Sequence, residues 1–91
     1  MARPHKRRNI EFNPTVKYFK PRGIPMKDLE EVVLSHDETE ALRLRYVEGL
    51  EQSDAAEQME ISQSTFHRIL ASANKKLAEG IIKGKAICIE E

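Results

Sequence analysis

The stretch "ISQSTFHRIL", residues 61 to 70, sets Gln63, Ser64, His67 and Arg68 among the apolar Ile61, Phe66 and Ile69. A carboxamide donates and accepts side by side and can read an adenine edge. A guanidinium can grip guanine or a phosphate, and a hydroxyl serves either a base edge or the backbone. A second chemistry is conceivable, because Ser64 and His67 lie one helical turn apart, as a nucleophile and its base would. No third group orients the histidine, and no glycine-rich elbow or oxyanion site accompanies it, so a hydrolase is set aside and no enzymatic activity is expected. His5, His36, His67 and Cys88 show no metal-ligand spacing. No phosphate-cradling glycine loop occurs, and Pro14 disqualifies "NPT" at Asn13 as a glycosylation acceptor. No cofactor, metal or small-molecule substrate is therefore expected.

The elements that must position those four side chains are legible around them. Ser62 is a helix cap, and Phe66, Ile69, Leu70, Ala73 and Leu77 recur at helical spacing, which predicts a helix to about Ala78. Gln52 to Met59 predicts a short helix before it, with Ala55 and Ala56 small enough to let the two cross closely. Met59, Ile61, Phe66 and Ile69 would form the shared core. Glu60 falls where a positive φ, usually glycine's, is expected, at a cost of about 1 kcal/mol. Upstream, Ser35 followed by Glu38 is a capping-box pattern that starts a helix from about His36 to Glu48, closed by Gly49. Its apolar residues Ala41, Leu42, Leu44, Tyr46 and Val47 do not fall on one stripe, so two-sided packing is expected, with the N-terminal arm covering the second face.

Four prolines break up the first 25 residues. Ile10 and Phe12 alternate with polar neighbours as a short strand, "KYFKPRGIP" turns the chain, and Tyr18 and Phe19 read as anchors of the arm on the core. One helical turn is expected after Pro25, then an extended run at Val32 to Leu34. The β-branched "KAICIE" after Gly80 and Gly84 is expected to pair with the strand at Ile10 and Phe12. Residues 1–91 thus form a single domain: a basic arm and turn region over 1–34, a helical core over 35–79 and a C-terminal strand over 80–91.

The 91 residues carry no net charge, yet the charge is polarised along them. Residues 1 to 27 hold eight bases against one acid, whereas residues 28 to 60 hold eleven acids against two bases. Arg3, Lys6, Arg7 and Arg8 make a basic arm that suits a polyanion, with a solvated tail as the alternative reading. Lys75 adds a cation beyond Arg68. A hydrophobic share of 40% and a charged share of 33% fit a globular chain. The single cysteine, the absence of an apolar leader in "MARPHKRRN" and the lack of any bilayer-length apolar run give the expectation of a reducing cytoplasm and no membrane contact.

"ALRLRYVEGL" followed by "SDAAEQMEISQSTFHRILASANKKL" resembles region 4 of sigma-70-type factors, which reads the promoter's upstream element. End to end, with "RPHKRR", "YFKPRGIP", "LEEVVLSHDETEALRL" and "GKAICIE", the chain more closely resembles small prokaryotic proteins of uncharacterised protein family 0251, described as predicted DNA-binding proteins. Arg7 and Glu11 stand where members often have cysteines, and Glu60 where they have glycine. The resemblance implies a DNA-binding fold and names no target. The expected fold is mainly α: a three-helix, sigma-70 region 4-like helix-turn-helix domain with a basic extended N-terminal arm and a short terminal β element. The expected function is sequence-specific binding of double-stranded DNA, as a transcriptional regulator, through Gln63, Ser64, His67, Arg68, Lys75 and the arm residues Arg3, Lys6, Arg7 and Arg8. A homodimer on two half-sites is expected, because one module covers only about 600–1,000 Å². The alternative is a protein-interaction module whose acidic middle binds a basic partner, such as a component of the transcription machinery.

Overall fold

The computed structural model describes residues 9–90. In chain order they form β1 (Tyr18–Phe19), a 3-10 turn at Met26–Asp28, β2 (Glu31–Leu34), α1 (His36–Leu42), α2 (Gln52–Met59), α3 (Gln63–Lys83) and β3 (Ala86–Ile89). β3 is the central strand. β1 joins it antiparallel, with Tyr18 opposite Cys88, and β2 joins it parallel, with Val32 opposite Ile87 and Leu34 opposite Ile89. A parallel pair needs a long crossover, and the three helices supply it. Along β2 the side chains alternate, Val32 and Leu34 buried and Glu31 and Val33 exposed, so one face of the sheet lies on the helices.

The strand expected at Ile10 and Phe12 does not form, and "KAICIE" pairs instead with β1 and β2. Its backbone donors are otherwise engaged. The N–H groups of Glu11 and Phe12 donate to the two carboxylate oxygens of Glu40 at 3.1 and 3.2 Å, and that of Asn9 donates to the Met59 carbonyl at 3.2 Å. A segment whose donors are spent on a side chain has none left for a ladder. Tyr18 and Phe19 do not plug the core either, since both rings are more than half exposed and the backbone does the holding.

The capping box at the start of α1 forms as expected. The Ser35 hydroxyl accepts from the Glu38 N–H at 3.1 Å, and the Ser35 N–H donates to the Glu38 carboxylate at 2.8 Å. The helix continues as a π-helical segment over Arg43–Val47 before Gly49, at φ 77°, turns the chain. The wider turn stacks Arg43 over Glu48: the Glu48 N–H donates to the Arg43 carbonyl at 2.9 Å, and Arg43 Nη1 donates to Glu48 Oε2 at 3.2 Å. The inner face, Ala41 and Leu44, is buried, but among the described residues the arm leaves the second face uncovered, against expectation. Tyr46 and Val47 stay exposed, because the backbone of the described arm docks on Glu40 and only Phe12 borders them.

Two buried carboxylates on α1 bind the layers together. Glu38 accepts from the Ser72 hydroxyl at 2.5 Å and from Lys76 Nζ at 2.9 Å, and the same ammonium donates to the Val33 carbonyl at 2.7 Å. One network therefore joins α1, α3 and β2. Glu40 accepts a fork from Arg43, Nε and Nη2 each at 3.0 Å, besides the two arm N–H groups. Burial pushes both carboxyls up, but the donors outweigh it and hold both below the usual carboxylate range: Ser72, the Ser35 N–H and Lys76 for Glu38, and Arg43 with the arm N–H groups for Glu40.

Between α2 and α3, Glu60 takes the left-handed conformation expected of it, φ 61° and ψ 43°. The Ile61 N–H donates to the Ala56 carbonyl at 3.1 Å and the Glu60 N–H to the Glu57 carbonyl at 3.0 Å, the pair of bonds that defines a Schellman close. Ser62 then caps α3, its hydroxyl accepting from the Thr65 N–H at 3.1 Å. Ala55, Ala56, Met59, Phe66 and Leu70 bury together with Ala41 and Leu44, and half-buried Ile61 and Ile69 pack against them. α3 does not stop near Ala78 but runs to Lys83. Gly80 is a contact residue, not a terminator: a Cβ there would sit 2.7 Å from Ile87 Cγ1 and 3.3 Å from Val32 Cγ2, so glycine lets the helix cross the sheet closely. Gly84, at φ 66°, ends the helix instead.

Glu40→Gln removes the charge that holds Arg43 and the arm, and should lower stability in urea unfolding by about 2 kcal/mol at pH 7. Both carboxyls titrate lower folded than unfolded, so their stabilisation is present above an unfolded value of about 4.3 and is lost as pH falls through the folded values. Wild type should hold its stability from pH 7 to about pH 5 and lose it below. Glu40→Gln should show a shallower acid fall, and an unchanged acid profile would contradict the role of Glu40.

Glu60→Gly relieves a left-handed non-glycine residue while adding freedom to the unfolded chain, so the melting temperature should stay level or rise. A clear drop in thermal stability would show that the Glu60 side chain supports the turn.

Candidate functional site

The N-terminal half of α3 has a buried side and a bare side. Phe66 and Leu70 point into the core, which fixes the rotation of the helix and leaves Gln63, Ser64, His67 and Arg68 exposed, as expected. The four side chains line one open depression of about 490 Å³, and Gln52 from the start of α2 joins them. Gln52 was not among the expected residues. Its signal was its place as the first residue of a helix that had to cross α3 near that helix's start.

Small polar contacts order the rim. The Ser62 hydroxyl donates to Thr65 Oγ1 at 2.8 Å and lies 3.3 Å from the Ser64 hydroxyl. Arg68 Nη2 donates to Thr65 Oγ1 at 3.4 Å, a long bond that leaves most of the guanidinium's donors free for another acceptor. Lys75 is exposed seven residues beyond Arg68, two helical turns on and along the same side of α3. The depression therefore offers two carboxamides, a hydroxyl, an imidazole and a guanidinium, with Lys75 further along.

The surroundings are of opposite sign. Glu51, Asp54, Glu57 and Glu60 are exposed on α2 and its two ends, and none of them forms an ion pair among the described residues. Arg3, Lys6, Arg7 and Arg8 lie outside the described residues. The point from which they lead is placed: Asn9 is tied to the C-terminal end of α2 by its N–H to the Met59 carbonyl and by its Nδ2 to the Gln58 carbonyl, the latter at 2.9 Å. This anchorage was not legible beforehand, because both acceptors are backbone carbonyls.

Among the described residues no group of three or more histidine, cysteine, aspartate or glutamate side chains is placed to hold a metal ion. Burial and the Glu31 carboxylate push the Cys88 thiol up, away from a reactive thiolate. No described helix is long and apolar enough to cross a membrane.

Comparison with known proteins places the chain in a family. The family model described as "Protein of unknown function DUF134" matches residues 1–91. The UPF0251 protein of Halothermothrix orenii is 50% identical over 90 residues, covering 99% of this chain and 67% of that protein. The UPF0251 protein of Desulforudis audaxviator is 54% identical over 90 residues, covering 99% of this chain and 59% of its own length. That of Caldanaerobacter subterraneus subsp. tengcongensis is 50% identical over 90 residues, with 99% and 76% covered. The chain thus spans about three fifths to three quarters of the length of these relatives. No solved structure matches. By a match over its whole length and by relatives at half identity or better, the chain belongs to the DUF134 family of UPF0251 proteins.

Proposed function

We propose that the chain is a sequence-specific binder of double-stranded DNA, a transcriptional regulator in which α2, the left-handed turn at Glu60 and α3 act as a sigma-70 region 4-like helix-turn-helix. The observation that carries this reading is the rotation of α3. With Phe66 and Leu70 buried, Gln63, Ser64, His67 and Arg68 stand together on the exposed side at the helix's N-terminal end, the part such folds insert into a major groove. Gln63 is suited to adenine, Arg68 to guanine or phosphate, and Ser64 to either edge or backbone. Gln52, Lys75 and the positive end of α3 suit flanking phosphates.

The acids of α2 favour a second reading. Glu51, Asp54 and Glu57 repel phosphate and would suit a basic protein partner instead. In the DNA reading the charge they cost must come from elsewhere, and the basic arm, leading from Asn9 at the end of α2, is the part of the chain that carries it. The two readings differ in what salt and truncation do.

Fluorescence anisotropy with a random duplex at two salt concentrations tests binding, and selection from a random duplex pool supplies the preferred site. Gln63→Ala and Arg68→Ala should each weaken binding to that site by about 1–3 kcal/mol with the melting temperature nearly unchanged, and unaltered affinity in both would refute base reading. Deleting residues 1 to 8 should flatten the slope of log affinity against log salt by roughly two to four, at about 0.9 per phosphate contact, and lower affinity for all duplexes alike. An unchanged slope in a truncated chain that keeps its circular dichroism spectrum favours the protein-partner reading.

A further inference from the structure

Five of the exposed apolar side chains, Phe12, Phe19, Tyr46, Val47 and Ile81, line two neighbouring depressions. Phe19 of β1 and Ile81 of α3 line one shallow depression together. Leu77 lies one helical turn before Ile81, and it lines an apolar groove of about 450 Å³ with Phe12, Leu42, Tyr46 and Val47. The tyrosine is held at the groove wall by Asn74 Nδ2, which donates to its hydroxyl at 3.1 Å. These pieces join into one strip running from β1 across the C-terminal half of α3 to the π-helical segment.

We infer that this strip is the interface between two copies of the chain, paired about a two-fold axis through the C-terminal halves of their α3 helices. Area is the first argument. Phe12 is 40% exposed, Phe19 57%, Tyr46 58%, Val47 78% and Ile81 70%. Together they bare roughly 600 Å², the upper end of what a monomer leaves open, and two copies reach about 1,200 Å², where stable specific interfaces begin. Shape is the second. A two-fold interface brings the same surface of both copies together, and here the exposed Phe19 and Ile81 and the groove beside Leu77 lie at the two ends of one strip. Antiparallel pairing lays each copy's exposed Phe19 and Ile81 over the other's groove. Charge is the third, since a chain with no net charge meets its own copy without long-range repulsion.

The same pairing fits the DNA reading, although it does not depend on it. At 3.6 residues per turn, Leu77 and Ile81 point about a quarter turn away from the mean direction of Gln63, Ser64, His67 and Arg68. Under the two-fold, both polar faces then look to the same side of the dimer. An axis near Ala78 sets the two ends at most about 40 Å apart, close to one turn of duplex at about 34–36 Å.

The experiment is sedimentation equilibrium of the full chain without DNA from about 1 to about 100 μM, a range that brackets micromolar association. Wild type should approach twice the mass of one chain. Ile81→Glu and Val47→Asp, both exposed and outside the core, should sediment as single chains with an unchanged circular dichroism spectrum. Val33→Glu, on the far face of the sheet, should remain paired. A wild type of single-chain mass at every concentration overturns the inference. So does pairing that survives both strip substitutions, or that Val33→Glu disrupts equally. Because DNA is absent, failure of the DNA reading would leave these outcomes unchanged.

Discussion

The rest of the molecule depends on two carboxylates placed two residues apart on one short helix. Glu38 and Glu40 are both buried, and an ionised carboxylate is costly to bury unless every lone pair finds a donor. Each finds its donors on a different part of the chain. Glu38 faces α3 and β2 through Ser72 and Lys76, whereas Glu40 faces the arm and the π-helical segment through Glu11, Phe12 and Arg43. Two residues apart on a helix is about 200° of rotation, so the pair points to opposite sides of α1 and holds an element on each. In 91 residues with a modest aliphatic core, this polar clamp sets where the elements sit, and the apolar packing fills the space between.

Small residues set the spacing that the clamp allows. Ala55 and Ala56 are buried where α2 meets the core, Ala73 is buried on α3, and Gly80 is buried where α3 meets the sheet. With close approach on both sides, α3 cannot rotate without driving Phe66 or Leu70 out of the core, and its outer face is fixed. The polar set from Gln63 to Arg68 sits at one end of that helix and the apolar strip around Ile81 at the other. One rigid element therefore carries two unlike surfaces, which is the basis for proposing a different kind of partner for each.

Signals local to a few residues were legible in the sequence. The capping box of Ser35 and Glu38, the bounds of α2, the Ser62 cap, the left-handed Glu60 and the exposure of Gln63, Ser64, His67 and Arg68 each follow from neighbours within one or two helical turns. What failed depended on distant partners. Ile10 and Phe12 have the alternation of a strand, but Glu40, far along the chain, takes the N–H groups of Glu11 and Phe12. Gly80 has the look of a helix end, but β2 and β3 press against it and make glycine a packing requirement. Tyr18 and Phe19 gave no sign of being a strand because two residues carry no period; their pairing is visible only once β3 is in place. The exposed face of α3 was more legible than the sheet around it, since a helix face is read from spacing whereas strand pairing is not.

The proposed function requires that the exposed side of α3's N-terminal half meet DNA. Its most direct test is a nitrogen-15 NMR titration of the full chain with a duplex, following each backbone amide. Binding through that side should give shifts concentrated at residues 62–68 and at Gln52, with Glu51, Asp54 and Glu57 changed little except where they adjoin those positions. Shifts centred on the acidic α2, or none at α3 while the duplex is demonstrably bound, would contradict it.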